Sequence, residues 1–242
     1  PYPRWIAHRG AGKLAPENTL AAFRLGAQHG YRMFECDAKL SADGVPFLLH
    51  DATLERTTNG RGTGGDLPLG ALAQLDAGSW HSRAYAGEAV PTLEALARFC
   101  IANGYFLNIE IKPTPGQEET TGRVVGETAA RLWQGQAVPP LFSSFKPDAL
   151  AGAQATAAHI PRALLLDTLW DGCLDTARRL GCVAIVCNHA LWDAALVAQV
   201  KGMGMRTLSY TVNDDWAAQR LIALGTDGII TDRVDLFSPA TP

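Results

Sequence analysis

Short runs of apolar and β-branched residues alternate along the chain with stretches whose apolar residues recur every three or four positions. The first pattern is typical of buried strands and the second of amphipathic helices. Nine strands are predicted, at residues 4–8, 32–39, 46–50, 106–112, 141–144, 162–166, 183–187, 206–211 and 228–231. Helices are predicted at 19–29, capped by Asn18 or Thr19, at 92–103 and 118–134, and after Asn213, a suitable N-cap residue.

Repeated strand–helix alternation over this length favours a parallel sheet closed into a (β/α)8 barrel, a TIM barrel. Nine strands are one more than such a barrel needs. Asp43 and Gly44 stand between two predicted strands, and Asp-Gly is a strong β-hairpin signal. We therefore expect 46–50 to run antiparallel to the preceding strand. A two-residue turn would place His50 directly opposite Asp37, since each is equally far from its turn residue.

The segment that follows the hairpin has no strand or helix period. It is glycine-rich between Thr57 and Gly65, and one short helix is predicted at 68–75. Roughly forty residues are long for a plain connection between two barrel strands. We predict a single domain over 1–242 whose barrel carries a small cap, inserted at about 52–91.

Composition limits the range of partners. The 242 residues are 47% apolar and 19% charged, with a formal charge of −3, so no general attraction to nucleic acid or to an anionic membrane is expected. No apolar run approaches the ~20 residues of a membrane-spanning helix. The five cysteines form no CxxC pair, and no secretory leader is recognisable. These features predict a cytoplasmic protein with reduced thiols; the oligomeric state is left open.

Three carboxylates stand near the ends of two predicted strands. Glu35 and Asp37 are two residues apart and share one strand face, and Glu110 ends the next barrel strand. Acids converging at the C-terminal mouth of a barrel would repel one another unless a cation lay between them. Ligation by oxygen alone favours one Mg²⁺ or Ca²⁺. The alternative is a buried ionic network in which Arg9 and Lys112 neutralise these acids.

Two histidines end strands beside these acids. Cleavage of a phosphate diester requires one group that removes a proton from the attacking hydroxyl and another that protonates the leaving alcohol. Imidazole titrates in the range suited to both tasks, so His8 and His50 are the candidate catalytic residues. Arg9 and Lys112 would then neutralise the phosphoryl oxygens. Phe145 and Trp216 are candidates for the wall of the substrate pocket.

Several segments resemble the glycerophosphodiester phosphodiesterase family. They are AHRGAGKLAPENTLAAF (7–23), FECDAKLSADGVPFLLHDATLERTTNG (34–60), NIEIKP (108–113), FSSF (142–145), YTVN (210–213) and GTDGIITD (225–232). The resemblance implies a (β/α)8 barrel, His8 and His50 as the acid/base pair, and a divalent cation on Glu35, Asp37 and Glu110. It also implies that Arg9 and Lys112 contact the phosphate. One departure is Tyr210, where the family commonly has tryptophan.

The same resemblance implies that Glu17 and Asn18 position the substrate, and it implies a reaction. Diesters such as glycerophosphocholine or glycerophosphoethanolamine would be hydrolysed to sn-glycerol 3-phosphate and an alcohol. Which histidine acts as the base is left open, as is direct attack by water. Alternatives are a phospholipase C- or D-like enzyme acting on another diester and a non-catalytic barrel that binds phosphodiesters. A zinc amidohydrolase barrel is disfavoured because Gly10 stands where its second metal-binding histidine would be.

Overall fold

The computed structural model describes residues 2–240 and contains a closed, eight-stranded parallel barrel. The strands are β1 (Trp5–Ala7), β2 (Met33–Leu40), β3 (Pro46–Leu48), β4 (Phe106–Ile111), β5 (Leu141–Ser144), β6 (Arg162–Leu166), β7 (Ala184–Asn188), β8 (Arg206–Tyr210) and β9 (Gly228–Thr231). β1 pairs in parallel with both β2 and β9, which closes the barrel. β3 pairs antiparallel with β2 and is the additional strand. The predicted TIM barrel is confirmed.

Helices connect the strands and pack around the barrel. They are α1 (Leu20–Gln28), α2 (Leu69–Leu72), α3 (Leu93–Asn103), α4 (Glu118–Leu132), α5 (Pro147–Thr156), α6 (Cys173–Arg179), α7 (Ala194–Gly202) and α8 (Asp215–Ala223). α4, with 15 residues, is the longest of these. Within residues 2–240, no helix combines the length and hydrophobicity needed to span a bilayer.

The N-cap side chains of α1 and α8 each accept a hydrogen bond from the first turn of their helix. Thr19 caps α1, because its hydroxyl accepts a hydrogen bond from the Ala22 N–H. The N-cap of α8 is Asp214, whose carboxylate accepts from Ala217 N–H, so the prediction of Asn213 was wrong. The Asn213 side chain instead exchanges two hydrogen bonds with Asp232. Asp214 lies one residue closer to the helix than Asn213, and its charged carboxylate accepts the capping hydrogen bond.

The β2–β3 hairpin forms as expected, but its register differs by one residue. Leu40 pairs with Pro46, and Ser41 N–H donates to the Val45 carbonyl, so the loop contains three residues instead of two. Gly44 takes the left-handed conformation (φ +79°) that such a loop requires. The Asp37 carbonyl consequently accepts from Leu49 N–H, and His50 lies beyond the end of β3. The predicted pairing of His50 with Asp37 was wrong.

Alternation along the strands divides the core into two layers. One apolar cluster fills the barrel interior: Ile6, Met33, Leu141, Ala163, Leu165, Ala184, Val186, Leu208 and Ile230. The larger cluster, which includes Phe23, Phe34 and Ile109, packs between the barrel and the helices. Near the C-terminal ends of the strands, the side chains that point into the barrel are polar. β2 contributes Glu35 and Asp37 there, and β4 contributes Glu110. The cavity described below opens at this end.

The segment 52–91, which the sequence predicts as a cap, packs on a small separate core that it shares with the end of β3. It contains α2 and two short 3-10 turns. Beneath it, six buried side chains form a separate cluster: Phe47, Leu49, Leu54, Leu72, Ala77 and Val90. Because two of these residues flank the end of β3, the cluster attaches the cap to the hairpin that leads to His50.

Candidate active site

A cavity of about 350 Å³ opens at the C-terminal ends of the barrel strands. Its lining residues come from β1–β6, β8 and β9 or from the loops that follow them. They are His8, Arg9, Glu35, His50, Asn108, Glu110, Ser143, Phe145, Leu165, Asp167, Tyr210, Thr211 and Ile230. Both predicted catalytic histidines and two of the three predicted metal ligands therefore face one space.

The three predicted acidic ligands converge at this cavity. Asp37 and Glu110 are register partners on adjacent strands, and Glu35 lies two residues before Asp37. Each offers a carboxylate oxygen, and these atoms lie within 4.8 Å of one another. All three residues are buried, yet Asp37 Oδ1 and Glu110 Oε2 have no hydrogen-bond partner among residues 2–240. Buried acceptors without donors are costly, so the cluster fits a cation that would bind them.

Electrostatics support the same interpretation. Burial raises the pKa of Glu35 and Glu110 well above the usual range, and the neighbouring Asp37 charge raises both further. Burial also acts to raise the pKa of Asp37, but Arg9 and His50 outweigh it, so the Asp37 pKa is lowered. A cation bound among the three carboxyls would favour the ionised form of each of them. A divalent ion with oxygen ligands fits this donor set.

The ion pairs that a purely ionic network would need are present only in part. Arg9 N–H donates to Glu35 Oε1 at 3.2 Å, and Arg9 Nε lies 3.5 Å from Asp37 Oδ2. Within the described chain, the Lys112 ammonium forms no ion pair with any of the three acids. Within the described chain, Arg9 is the residue that forms an ion pair with these acids, while the Lys39 and Lys112 ammonium groups attract them from a greater distance.

Arg9, Glu17 and Asn18 form a compact group beside the acids. Arg9 and Asn18 have positive φ angles of 53° and 57°, a conformation that is strained for residues other than glycine. Asn18 N–H donates to the Arg9 carbonyl, and the Asn18 amide donates to Asp37 Oδ2 at 3.0 Å. The Arg9 guanidinium donates to Glu17 Oε2 at 3.0 Å. The strained backbone thus aims an amide and a guanidinium at the acid cluster.

Each candidate catalytic histidine is held by a carboxylate of its own. His8 Nδ1 lies 2.7 Å from Asp232 Oδ1, and His50 Nδ1 lies 2.9 Å from Asp51 Oδ1. An imidazole that donates from Nδ1 keeps Nε2 for proton exchange with a substrate. Burial lowers the pKa of His50 although Asp37 and Asp51 act in the opposite direction. Asp232 was not predicted, although its position two residues after the inward-facing Ile230 would have indicated it.

Arg56, in the cap, connects several of these groups and was also missed. Its guanidinium donates to both carboxylate oxygens of Glu17 and to both of Asp51 at 2.8–3.1 Å. Because Glu17 also binds Arg9, a continuous chain of ion pairs joins Arg9 to the carboxylate that holds His50. No sequence period in the cap distinguishes Arg56 from its other arginines.

Lys39 is a third residue that the sequence analysis did not single out. It lies on the same face of β2 as the acids and is almost fully buried. Its ammonium donates to the carbonyls of His50 and Lys112, at 3.3 and 3.1 Å. Burial lowers its pKa to about 8 although Asp37 acts to raise it. Lys39 therefore ties the backbone at His50 to the end of β4.

The remaining predicted residues lie at different distances from the cavity. Phe145 lines it, whereas Lys112 lies beyond the end of β4 and is not among the lining residues. Trp216 is 76% exposed on α8 and is likewise not among them. Glu17 and Asn18 line a smaller adjoining pocket together with His50. Substrate binding by Lys112 and Trp216 stays a prediction.

Comparison with known proteins accounts for this arrangement. Residues 8–236 match the glycerophosphoryl diester phosphodiesterase family, which is nearly the whole chain. The chain belongs to this family. It is therefore an enzyme of the phosphoric diester hydrolase class, and the resemblance found in the sequence is confirmed.

Relatives similar over nearly their full length support the family assignment. YhdW of Bacillus subtilis (strain 168) is 34% identical over 240 residues, which cover 96% of this chain and 95% of YhdW. The glycerophosphodiester phosphodiesterase of Caldanaerobacter subterraneus subsp. tengcongensis is 33% identical over 233 residues, covering 94% and 93%. A phosphodiesterase from Oleispira antarctica, solved with the product sn-glycerol-3-phosphate, is 36% identical. It superposes with a TM-score of 0.89, covering 96% of this chain and 93% of that one.

Proposed function

We propose that this family member hydrolyses glycerophosphodiesters, such as glycerophosphocholine and glycerophosphoethanolamine, to sn-glycerol 3-phosphate and an alcohol. His8 and His50 act as the general acid and base. One observation carries the proposal: two carboxylate-bound imidazoles line the same cavity as a buried cluster of three acids. The Oleispira antarctica relative, which binds sn-glycerol-3-phosphate, supports the glycerol end of the substrate.

The substrate is placed by charge. Its phosphoryl oxygens lie against the Arg9 guanidinium, with Lys112 adding positive charge, and the glycerol lies on the side of the acid cluster. Glu17 and Asn18 hold Arg9 and Asp37 in place through the hydrogen bonds described above. Phe145 and Trp216 are the proposed apolar contacts.

Two proton transfers then suffice for cleavage. One histidine takes the proton of the glycerol 2-hydroxyl, whose oxygen attacks phosphorus, while the other protonates the departing alcohol as the ester bond breaks. A cyclic glycerol phosphate results. In the second step, water gives a proton to the histidine that acted as acid while its oxygen attacks phosphorus. The bond between phosphorus and the glycerol 2-oxygen breaks, and that oxygen receives a proton from the other histidine. Both imidazoles return to their starting states.

Glu35, Asp37 and Glu110 would hold one divalent cation, Mg²⁺ or Ca²⁺. When bound, such an ion lowers the pKa of a nearby hydroxyl and stabilises developing negative charge. Arg9 supplies the complementary positive charge from the protein side.

We propose that the enzyme acts in the cytoplasm, in lipid and glycerol metabolism. All five cysteines are free and buried, as expected in a reducing compartment. The proposed substrate is a small molecule, with no role for nucleic acid or membrane. A phospholipase-like activity on another diester is the alternative that the assay must also address.

The decisive experiment uses purified protein, glycerophosphocholine and added Mg²⁺ or Ca²⁺, with coupled detection of glycerol 3-phosphate. We expect turnover that is lost in EDTA and regained with excess cation. His8→Ala and His50→Ala should each lower kcat about 10²–10⁴-fold, the usual cost of removing a proton-transfer group.

His159→Ala is the matched control, because His159 is exposed and lies outside the cavity. Circular dichroism verifies that each variant is folded. Wild-type-like turnover in either site variant would overturn its assigned role. An inactive wild-type protein on glycerophosphodiesters, with activity on intact phospholipid, would favour the alternative.

A further inference from the structure

The half of the cavity opposite the acid cluster has a different character. Phe145 follows β5, Asp167 follows β6 and Tyr210 ends β8, and all three line the cavity. β6 lies across the barrel from β1, and β8 lies across from β4, whereas β5 pairs directly with β4. His8 and Arg9 follow β1, and the three acids lie on β2 and β4. We call these three residues the aromatic–acid cluster.

The three side chains are held together by direct contacts. The rings of Phe145 and Tyr210 meet edge to face, with centroids 5.7 Å apart. The Tyr210 hydroxyl lies 3.1 Å from Asp167 Oδ1, and the Asn188 amide donates to the same oxygen at 3.2 Å. The carboxylate is thus fixed beside the aromatic pair.

The negative charge of Asp167 has no counterpart in residues 2–240. Both of its hydrogen-bond donors are neutral and both reach Oδ1. In the part of the chain that the structure describes, no lysine, arginine or histidine pairs with Asp167, and Oδ2 has no partner. A carboxylate with one free oxygen beside aromatic rings attracts a cation through its charge and through the faces of the rings. The opposite side of the cavity, where Arg9 lies, instead favours an anion.

The course of the reaction indicates which part of the substrate reaches this cluster. In a displacement at phosphorus, the attacking and leaving oxygens lie on opposite sides of the phosphorus atom. With the glycerol on the side of the acids, as proposed above, the leaving alcohol extends towards β6 and β8. Its outer end then lies in the aromatic–acid cluster.

We propose that the aromatic–acid cluster of Phe145, Asp167 and Tyr210 selects diesters whose alcohol carries an ammonium group, as ethanolamine and choline do. This inference rests on the proposed function and adds head-group preference to it. Asp167 Oδ2 receives the charge, and the two rings cover the methyl or methylene groups.

The test compares kcat/KM for glycerophosphocholine, glycerophosphoethanolamine and glycerophosphoglycerol, whose alcohol is neutral. The wild-type protein should prefer the two cationic diesters. Asp167→Asn should reduce the ratio of cationic to neutral kcat/KM about 10-fold, and the wild-type preference should weaken as salt screens the charge. Asp167→Glu, which keeps the charge, should retain part of it. Asp171→Asn is the control, since Asp171 lies in the same loop but does not line the cavity.

Two measurements guard against a folding artefact. Circular dichroism compares the variants with the wild-type protein, and choline is tested as an inhibitor of glycerophosphoglycerol cleavage, with weaker inhibition expected for Asp167→Asn. An equal loss on all three diesters, or a wild-type protein without preference, would overturn the inference and leave the proposed function intact. Failure of the wild-type protein to cleave any of the three diesters would overturn the proposed function itself.

Discussion

His8 and Asp232 form a hydrogen-bonded pair that joins the first and the last strands of the barrel, with Nδ1 and Oδ1 2.7 Å apart. Asn213 Nδ2 holds the other carboxylate oxygen of Asp232 at 3.0 Å. Burial acts to raise the Asp232 pKa, but the His8 hydrogen bond and the Asn213 amide keep it low. Asp232 therefore stays ionised and fixes the orientation of the His8 ring.

Replacing Asp232 by asparagine should lower kcat about 10–100-fold, less than the loss of His8 itself, because the ring remains but its tautomer and orientation are no longer fixed. The measurement is steady-state kinetics on glycerophosphocholine. Asp235→Asn is the control: Asp235 follows on the same segment but pairs with exposed Arg233. Because the two groups act as a unit, Asp232→Asn combined with His8→Ala should cost little more than His8→Ala alone. Additive losses would contradict the pairing.

Most of the acid cluster could be predicted from the sequence because strand geometry alone determines it. Glu35 and Asp37 must share a face of β2, and parallel pairing brings Glu110 beside them, as the Asp37–Glu110 register confirms. The same two-residue period, continued past the strand ends, leads from Leu165 to Asp167 and from Ile230 to Asp232. These positions were predictable in principle, but an aspartate after a strand is also a common turn residue.

Other parts of the site depend on contacts that no local pattern encodes. The predicted hairpin register was wrong by one residue, because Asp-Gly also fits a three-residue loop that ends in a left-handed glycine. Arg56 reaches Glu17 across 39 residues, and Lys39 reaches the Lys112 carbonyl across 73. Such partners are chosen by tertiary packing, so the sequence alone gives no reason to prefer them.

The acid cluster should make the metal-free protein more stable at mildly acidic pH than at neutral pH. The folded-state pKa values of Glu35 and Glu110 are raised, so the folded protein binds protons that the unfolded chain, with a glutamate pKa of about 4.3, has already lost. The free energy of unfolding therefore falls as pH rises from 5 to 7. The lowered pKa of His50 acts in the opposite direction, because the unfolded chain binds a proton that the folded-state imidazole has lost. His50 is one group, whereas two glutamates produce the trend. Urea unfolding in EDTA at several pH values measures the effect.

Glu110→Gln and added Mg²⁺ are the controls for this pH dependence. Glutamine removes one of the two titrating groups, so the slope of unfolding free energy against pH should decrease in EDTA. Mg²⁺ competes with protons for the same oxygens, so it should raise the stability of the wild-type protein at pH 7 and leave Glu110→Gln largely unaffected. A slope that is identical in the wild-type protein and Glu110→Gln would show that Glu110 does not titrate as described.

Arg56→Lys should clearly lower kcat but should have only a small effect on the free energy of unfolding. The guanidinium is 45% exposed, so its ion pairs contribute at most about 1 kcal/mol to folding. A lysine ammonium has three N–H donors and cannot reproduce the four hydrogen bonds that Arg56 makes to the two carboxylates, so Asp51 is held less firmly beside His50. We expect kcat to fall about 10-fold through misplacement of the imidazole. Arg61→Lys, an exposed change elsewhere in the cap, should leave kcat unaffected. A large loss of stability in Arg56→Lys with normal kcat would show that Arg56 only holds the cap.

Gly12 tests whether the loop after β1 positions His8 and Asp232, the candidate catalytic histidine and its partner. Gly12 has a φ of +61°, and a Cβ atom there would lie 2.1 Å from the Asp232 carbonyl oxygen. Gly44 has a φ of +79°, but a Cβ atom there meets nothing within 4 Å. Gly44→Ala should therefore cost only the strain of a left-handed alanine, about 1 kcal/mol. Gly12→Ala adds a clash with backbone, for which about 2–4 kcal/mol is expected.

The activities of these two variants should differ more than their stabilities. The only way for Gly12→Ala to relieve its clash is to move the loop or Asp232, and movement of Asp232 alters its bond to His8. We expect reduced kcat for Gly12→Ala even at temperatures where it is fully folded, and wild-type kcat for Gly44→Ala. Urea unfolding and steady-state kinetics on the same preparations separate the two effects. If Gly12→Ala is destabilised yet retains normal kcat, the Asp232 position tolerates displacement and its role in orienting His8 is contradicted.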